Sequence, residues 1–74
     1  MSRHPSLAAL GRNLRAVRQK RGFTQEKLAE LAELDPTYIS GIECGIRNPS
    51  LLSLLRIAKA LGVPVANLCK EVDA

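Results

Sequence analysis

Few residues in this 74-residue chain could do covalent chemistry. There is one histidine, His4, near the N-terminus, and two cysteines, Cys44 and Cys69. The cysteines lack CxxC spacing and a histidine near them, so no metal site is expected. Nothing in the flanking sequence activates the Cys44 thiol, so a redox role has little to rest on. No paired carboxylates, nucleophile constellation or phosphate loop is present, and no enzyme, cofactor or small-molecule ligand is expected. What remains is recognition chemistry. Thr37, Tyr38 and Ser40 carry hydroxyls, Gly41 offers a gap in a side-chain surface, and Arg47, Asn48 and Ser50 follow within ten residues.

The elements that must position these groups are two short helices, Thr24 to Glu43. Thr24 is a good N-cap, since its hydroxyl can accept from free N–H groups of the first turn. Leu28, Leu31 and Ala32 then give an apolar face. Asp35-Pro36 restarts a helix, because Pro36 at its first position lacks an N–H that would be orphaned there. Ile39 and Ile42 supply its apolar side. Neither helix can bury enough surface alone, so the two share a core at a steep crossing. That is helix-turn-helix geometry, in which the second helix can enter a DNA major groove. The motif spans about 25–44, and the recognition helix about 36–44.

On such a helix Thr37 can offer a hydroxyl bond or a methyl contact to thymine. Tyr38 either donates to a phosphate or packs at the helix surface. Gly41 permits close approach, at about 1 kcal/mol of helix stability. The helix lacks Arg, Gln and Asn, so DNA shape is expected to carry part of the specificity. Arg47 can reach a phosphate or the minor groove. Ser50 and the N–H groups behind it either bind a second phosphate or simply cap the fourth helix.

The set Leu28, Ala29, Ala32, Leu34, Ile39 and Ile42, with the run GIRNPSLLSLLRIAKALGVP, resembles the phage lambda and 434 repressor/Cro family, the XRE family. The resemblance covers about Leu7 to Leu68, and DPTYISGIE is similar to the small restriction-modification controllers. It implies a compact, all-α, five-helix, lambda-repressor-like domain. It also implies that Gln25 touches a phosphate, that the loop with Arg47 and Asn48 follows the DNA backbone, and that Arg18 and Glu43 form a salt bridge. One position departs from the family. The turn residue that is usually glycine is Glu33, where a positive φ would cost about 1 kcal/mol.

The rest of the chain fits one domain over 1–74. Ser6 is expected to cap a first helix with Leu7, Leu10, Leu14 and Val17 on its buried stripe, stopped by Gly22. A fourth helix, Leu51 to Leu61, buries Leu51, Leu54, Leu55, Ala58 and Leu61. A fifth opens at Pro64. Met1–Pro5 and Lys70–Ala74 are expected to fray. Leu52 is either a lone exposed leucine or, with Val65, Leu68 and Val72, a patch that pairs with a second copy. A homodimer would suit a pseudo-palindromic operator in double-stranded DNA.

The net charge is +4. Up to Arg21 the chain has six cations and no acid, while Glu26, Glu30, Glu33 and Asp35 follow closely. Arg12, Arg15, Lys20, Arg21 and Lys27 either attract DNA or form solvated faces. No signal peptide or membrane span is read, so the cytoplasm is the expected compartment. The expected function is a sequence-specific, DNA-binding transcriptional regulator, a dimeric repressor or autoregulator. The alternative is a protein-interaction module such as a toxin-neutralising antitoxin.

Overall fold

The computed structural model describes residues 4–72. Four α-helices follow one another: α1 (Pro5–Lys20), α2 (Gln25–Ala32), α3 (Pro36–Glu43) and α4 (Leu51–Leu61). A single 3₁₀ turn, Val65–Asn67, follows α4. No strand occurs among the described residues.

Each helix begins on a side-chain cap. Thr24 Oγ1 accepts from the Lys27 N–H at 2.9 Å, Asp35 Oδ1 from Thr37 at 2.7 Å, and Ser50 Oγ from Ser53 at 3.1 Å. The first helix differs from expectation. Pro5 is its first residue, and His4 Nδ1 accepts from the Ser6 N–H at 3.1 Å, so His4 rather than Ser6 is the cap. Gly22 and Gly62 lie just past the ends of α1 and α4 at φ +74° and +71°, the left-handed conformation that closes a helix. At the end of α2 this position is Glu33, with φ 59° and ψ 44°. The Leu34 N–H still reaches back to the Ala29 carbonyl at 2.9 Å. The motif's turn is therefore kept, with the strain of a side chain where the family has none.

The core gathers one stripe from each helix. Leu10 and Leu14 of α1 meet Leu28, Ala29 and Ala32 of α2, Ile39 and Ile42 of α3, and Ile57, Ala58 and Leu61 of α4. On α4 the buried stripe runs through Leu54, Ile57, Ala58 and Leu61, which turns Leu51 and Leu55 out to solvent. Leu31 is likewise exposed on α2.

The fifth helix is reduced to the 3₁₀ turn. Asn13 ties down the chain beyond it: its Nδ2 donates to the carbonyls of Leu68 at 2.9 Å and Lys70 at 2.8 Å. Leu68 is then fully buried in the core, at 0% exposure, and cannot belong to a surface patch. Val65 and Val72 are half-buried against the same core. Of the expected patch, only Leu52 stands free, 70% exposed. Pro5 and Lys70, expected to fray, are held in place, and residues 1–3 and 73–74 of the expected frayed ends lie outside the described residues.

Gly11, on α1, allows a close approach of two backbones. A Cβ there would stand 2.5 Å from the carbonyl oxygens of both Ile42 and Glu43. The backbone of α1 thus lies directly on the end of α3. Gly11→Ala should lower the unfolding free energy by about 2 kcal/mol in chemical denaturation, since forced backbone separation outweighs the gain in helix propensity. An unchanged or raised stability would refute that packing. Glu33→Gly should act oppositely, adding about 0.5–1 kcal/mol by relieving the left-handed residue.

Candidate nucleic-acid interface

The site begins with a charge pair that is largely withdrawn from solvent. Arg18 Nε donates to Glu43 Oε2 at 2.6 Å, and Arg18 Nη2 donates to Oε1 at 3.0 Å. The two side chains are only 11% and 3% exposed. Arg18 Nη1 donates to the Phe23 carbonyl at 2.7 Å, and Gln25 Nε2 donates to Glu43 Oε1 at 3.0 Å. The network ties the end of α1, the start of α2 and the end of α3. It also orients Gln25. One amide hydrogen is spent on Glu43, which leaves the second, together with the free N–H groups of the α2 N-terminus, for an anion.

Two hollows flank the start of α3. The first is lined by Arg18, Thr24, Gln25, Glu26, Pro36, Thr37 and Ser40. The second is lined by Glu33, Leu34, Asp35, Thr37, Tyr38 and Arg47. Thr37 borders both. The fold therefore groups Gln25, Pro36, Thr37, Ser40, Tyr38 and Arg47 on one surface. Asn48 is set apart from them. It lines a third, more apolar hollow of about 330 Å³ with His4, Leu7, Leu10, Pro49, Leu54, Cys69 and Val72.

Tyr38 joins the recognition helix to α4. Its ring is half-buried against the core, and its hydroxyl accepts from the Ser50 N–H and donates to Ser53 Oγ, both at 3.4 Å. These bonds are long and weak. Ser50 Oγ donates to Ser53 Oγ at 3.0 Å while capping α4, so its hydroxyl is already engaged. Gly41 does not open a gap to solvent: the Arg47 side chain occupies the space beside it. Cys44 and Cys69 are exposed free thiols. Among the described residues, no group of three or more His, Cys, Asp and Glu could hold a metal ion.

Sequence reasoning overlooked Gly11 and Asn13. Gly11 carries a signal, a helix-interior glycine with a propensity cost that nothing local repays. Asn13 carries none, because its partners are more than fifty residues away.

The helix-turn-helix family model matches residues 14–68. The chain belongs to the helix-turn-helix family. It is 48% identical over 59 residues to the control protein C.BamHI of Bacillus amyloliquefaciens, covering 78% of this chain and 73% of that protein. It is 40% identical over 62 residues to the immunity repressor of Bacillus phage phi105, covering 84% of this chain but only 43% of the repressor. The crystal structure of the restriction-modification controller C.AhdI from Aeromonas hydrophila superposes with a TM-score of 0.86 at 40% identity, covering 88% of this chain and 98% of that one. The biofilm regulator SinR, solved in complex with DNA, superposes at 0.76 and 32% identity, covering 80% and 95%. This helix-turn-helix chain is a DNA-binding transcriptional regulator of XRE type and not an enzyme.

Removing one member of the buried pair leaves the other uncompensated. Glu43→Leu alone should cost about 3 kcal/mol in denaturant unfolding, and Arg18→Met with Glu43→Leu should recover most of that loss. A double variant as unstable as the single one would show that hydrogen bonds to Phe23 and Gln25, rather than the charge imbalance, set the cost.

Proposed function

We propose that this regulator is a homodimeric repressor or autoregulator that reads a pseudo-palindromic operator in the cytoplasm. The whole of 1–74 acts as one helix-turn-helix unit. The observation that supports this best is the position of Thr37 between two hollows. One hollow holds Gln25 beside the α2 N-terminus, and the other holds Arg47. A helix laid in a major groove along that ridge brings Thr37, and Ser40 one turn on, to base edges. Gln25 meets the phosphates on one side and Arg47 the backbone or minor groove on the other. Pro36 contributes its fixed start to the helix rather than a donor. Asn48, in the loop after Arg47, lies at the edge of the footprint, beside the separate hollow it shares with His4 and Pro49. Tyr38 fixes the helix to α4 and lines the groove wall.

The dimer surface we propose is the exposed leucine face of α4. Leu52 is joined there by Leu51 and Leu55, and Val65 and Val72 contribute only their exposed edges. No helix among the described residues is long and apolar enough to cross a membrane. The alternative of a toxin-neutralising partner draws no support from the relatives above.

Fluorescence anisotropy with DNA from upstream of the protein's own gene, against scrambled DNA at two salt concentrations, tests this. We expect a preference of roughly 1000-fold or more with a steep salt slope. Equal, weak binding to both DNAs would remove the autoregulatory reading. Thr37→Ala should change sequence preference, by about 1–3 kcal/mol at the base pair it meets. Arg47→Ala should weaken binding to every sequence and reduce the salt slope by about one. Identical effects from the two substitutions would undo this division of roles.

A further inference from the structure

Gly41 stands inside α3, where glycine costs about 1 kcal/mol against alanine. Its backbone does not call for glycine, because the positive-φ glycines among the described residues are Gly22, Gly45 and Gly62. Space does. A Cβ at Gly41 would lie 2.4 Å from Cγ of Arg47 and 3.5 Å from its Cβ and Cδ. The aliphatic stem of Arg47 therefore runs across the helix through the volume a side chain would fill. Cγ is not the free end of that stem, so an added methyl group forces Arg47 into another rotamer. The backbone arrives at the same place. The Gly41 carbonyl accepts from the N–H groups of both Ile46 at 3.0 Å and Arg47 at 3.1 Å. Arg47 lines a hollow with Glu33, Asp35, Thr37 and Tyr38, and among the described residues its guanidinium forms no ion pair with a carboxylate.

We infer that Gly41 is a positioning residue, whose missing side chain seats the Arg47 stem on the recognition helix and presents its guanidinium beside Thr37. The inference rests on the DNA-binding reading above. Gly41 itself meets neither base nor phosphate. The α3 sequence PTYISGIE carries no Arg, Gln or Asn. The seat gives this helix a strong hydrogen-bond donor that its own positions do not hold.

Two measurements test the seat, and the first needs no DNA. In the wild-type protein, NMR should show a nuclear Overhauser contact between the Gly41 α-protons and the Arg47 γ-methylene. Its absence would overturn the inference. The second compares wild type, Gly41→Ala, Arg47→Ala and the double variant on a duplex that the wild type enriches from a randomised pool. Gly41→Ala should melt no lower than wild type, since alanine is the better helix former. It should nevertheless bind about tenfold more weakly, as should Arg47→Ala. The double variant should match Arg47→Ala to within about twofold, because both changes remove the same contact. A further tenfold loss in the double variant would mean that Gly41 meets DNA directly, and wild-type affinity in Gly41→Ala would mean that the seat is idle. Either result overturns the inference. If the wild type enriches no duplex, the DNA-binding reading fails, and the proton contact still decides the seat.

Discussion

Arg18 and Glu43 hold the molecule where the end of α1, the start of α2 and the end of α3 meet. Two opposite charges are withdrawn from water there, at a desolvation cost that their attraction repays only when every remaining donor and acceptor is satisfied. Both conditions are met. The guanidinium spends its nitrogens on two carboxylate oxygens and the Phe23 carbonyl, and Glu43 takes the Gln25 amide as well. The net energy of such a pair is small. Its value lies in geometry, because it fixes the start of α2 against the end of α3. Gly11 belongs to the same arrangement. It lies seven residues before Arg18, two turns along one face of α1, and lets the backbone settle on the carbonyls of Ile42 and Glu43. Backbone contact and an ion pair, both at the C-terminal end of α3, leave that helix little freedom to rotate.

The recognition surface we propose divides its work between a rigid helix and the loop that follows it. The helix supplies small hydroxyl residues and a fixed axis. The loop supplies charge. Acidic residues cluster on α2 and the turn after it, and Glu26 lies in the first turn of α2, where it suits the helix dipole. Its ion pair between Lys27 and Glu30, at 3.6 Å and largely exposed, contributes little to stability. Cations precede it on α1.

Much of this was legible in the residues. The caps Thr24, Asp35 and Ser50, the proline at the start of α3 and the glycine stops are local signals, and each acts within four residues of itself. The family pattern supplied what local signals do not, the Arg18–Glu43 pair and the left-handed turn at Glu33. The errors arose where a distant partner decides. Val65, Leu68 and Val72 have helical spacing, but Asn13 takes the carbonyls of Leu68 and Lys70 and turns Leu68 inward. Helix α4 has leucines on two overlapping stripes, and only packing against α2 selects the one through Ile57. Gly41 suggested a gap until Arg47 was found in it. His4 displaced Ser6 as a cap because Pro5 starts the helix two residues sooner.

The chain has no tryptophan and a single tyrosine. That tyrosine, Tyr38, lies where α3 touches the start of α4, with its hydroxyl between Ser50 and Ser53. The indole and phenol emission of most proteins averages over several buried rings. Here it comes from one ring at the edge of the recognition helix. The protein therefore carries a native optical reporter, quiet about its aliphatic core and sensitive to whatever settles against that helix.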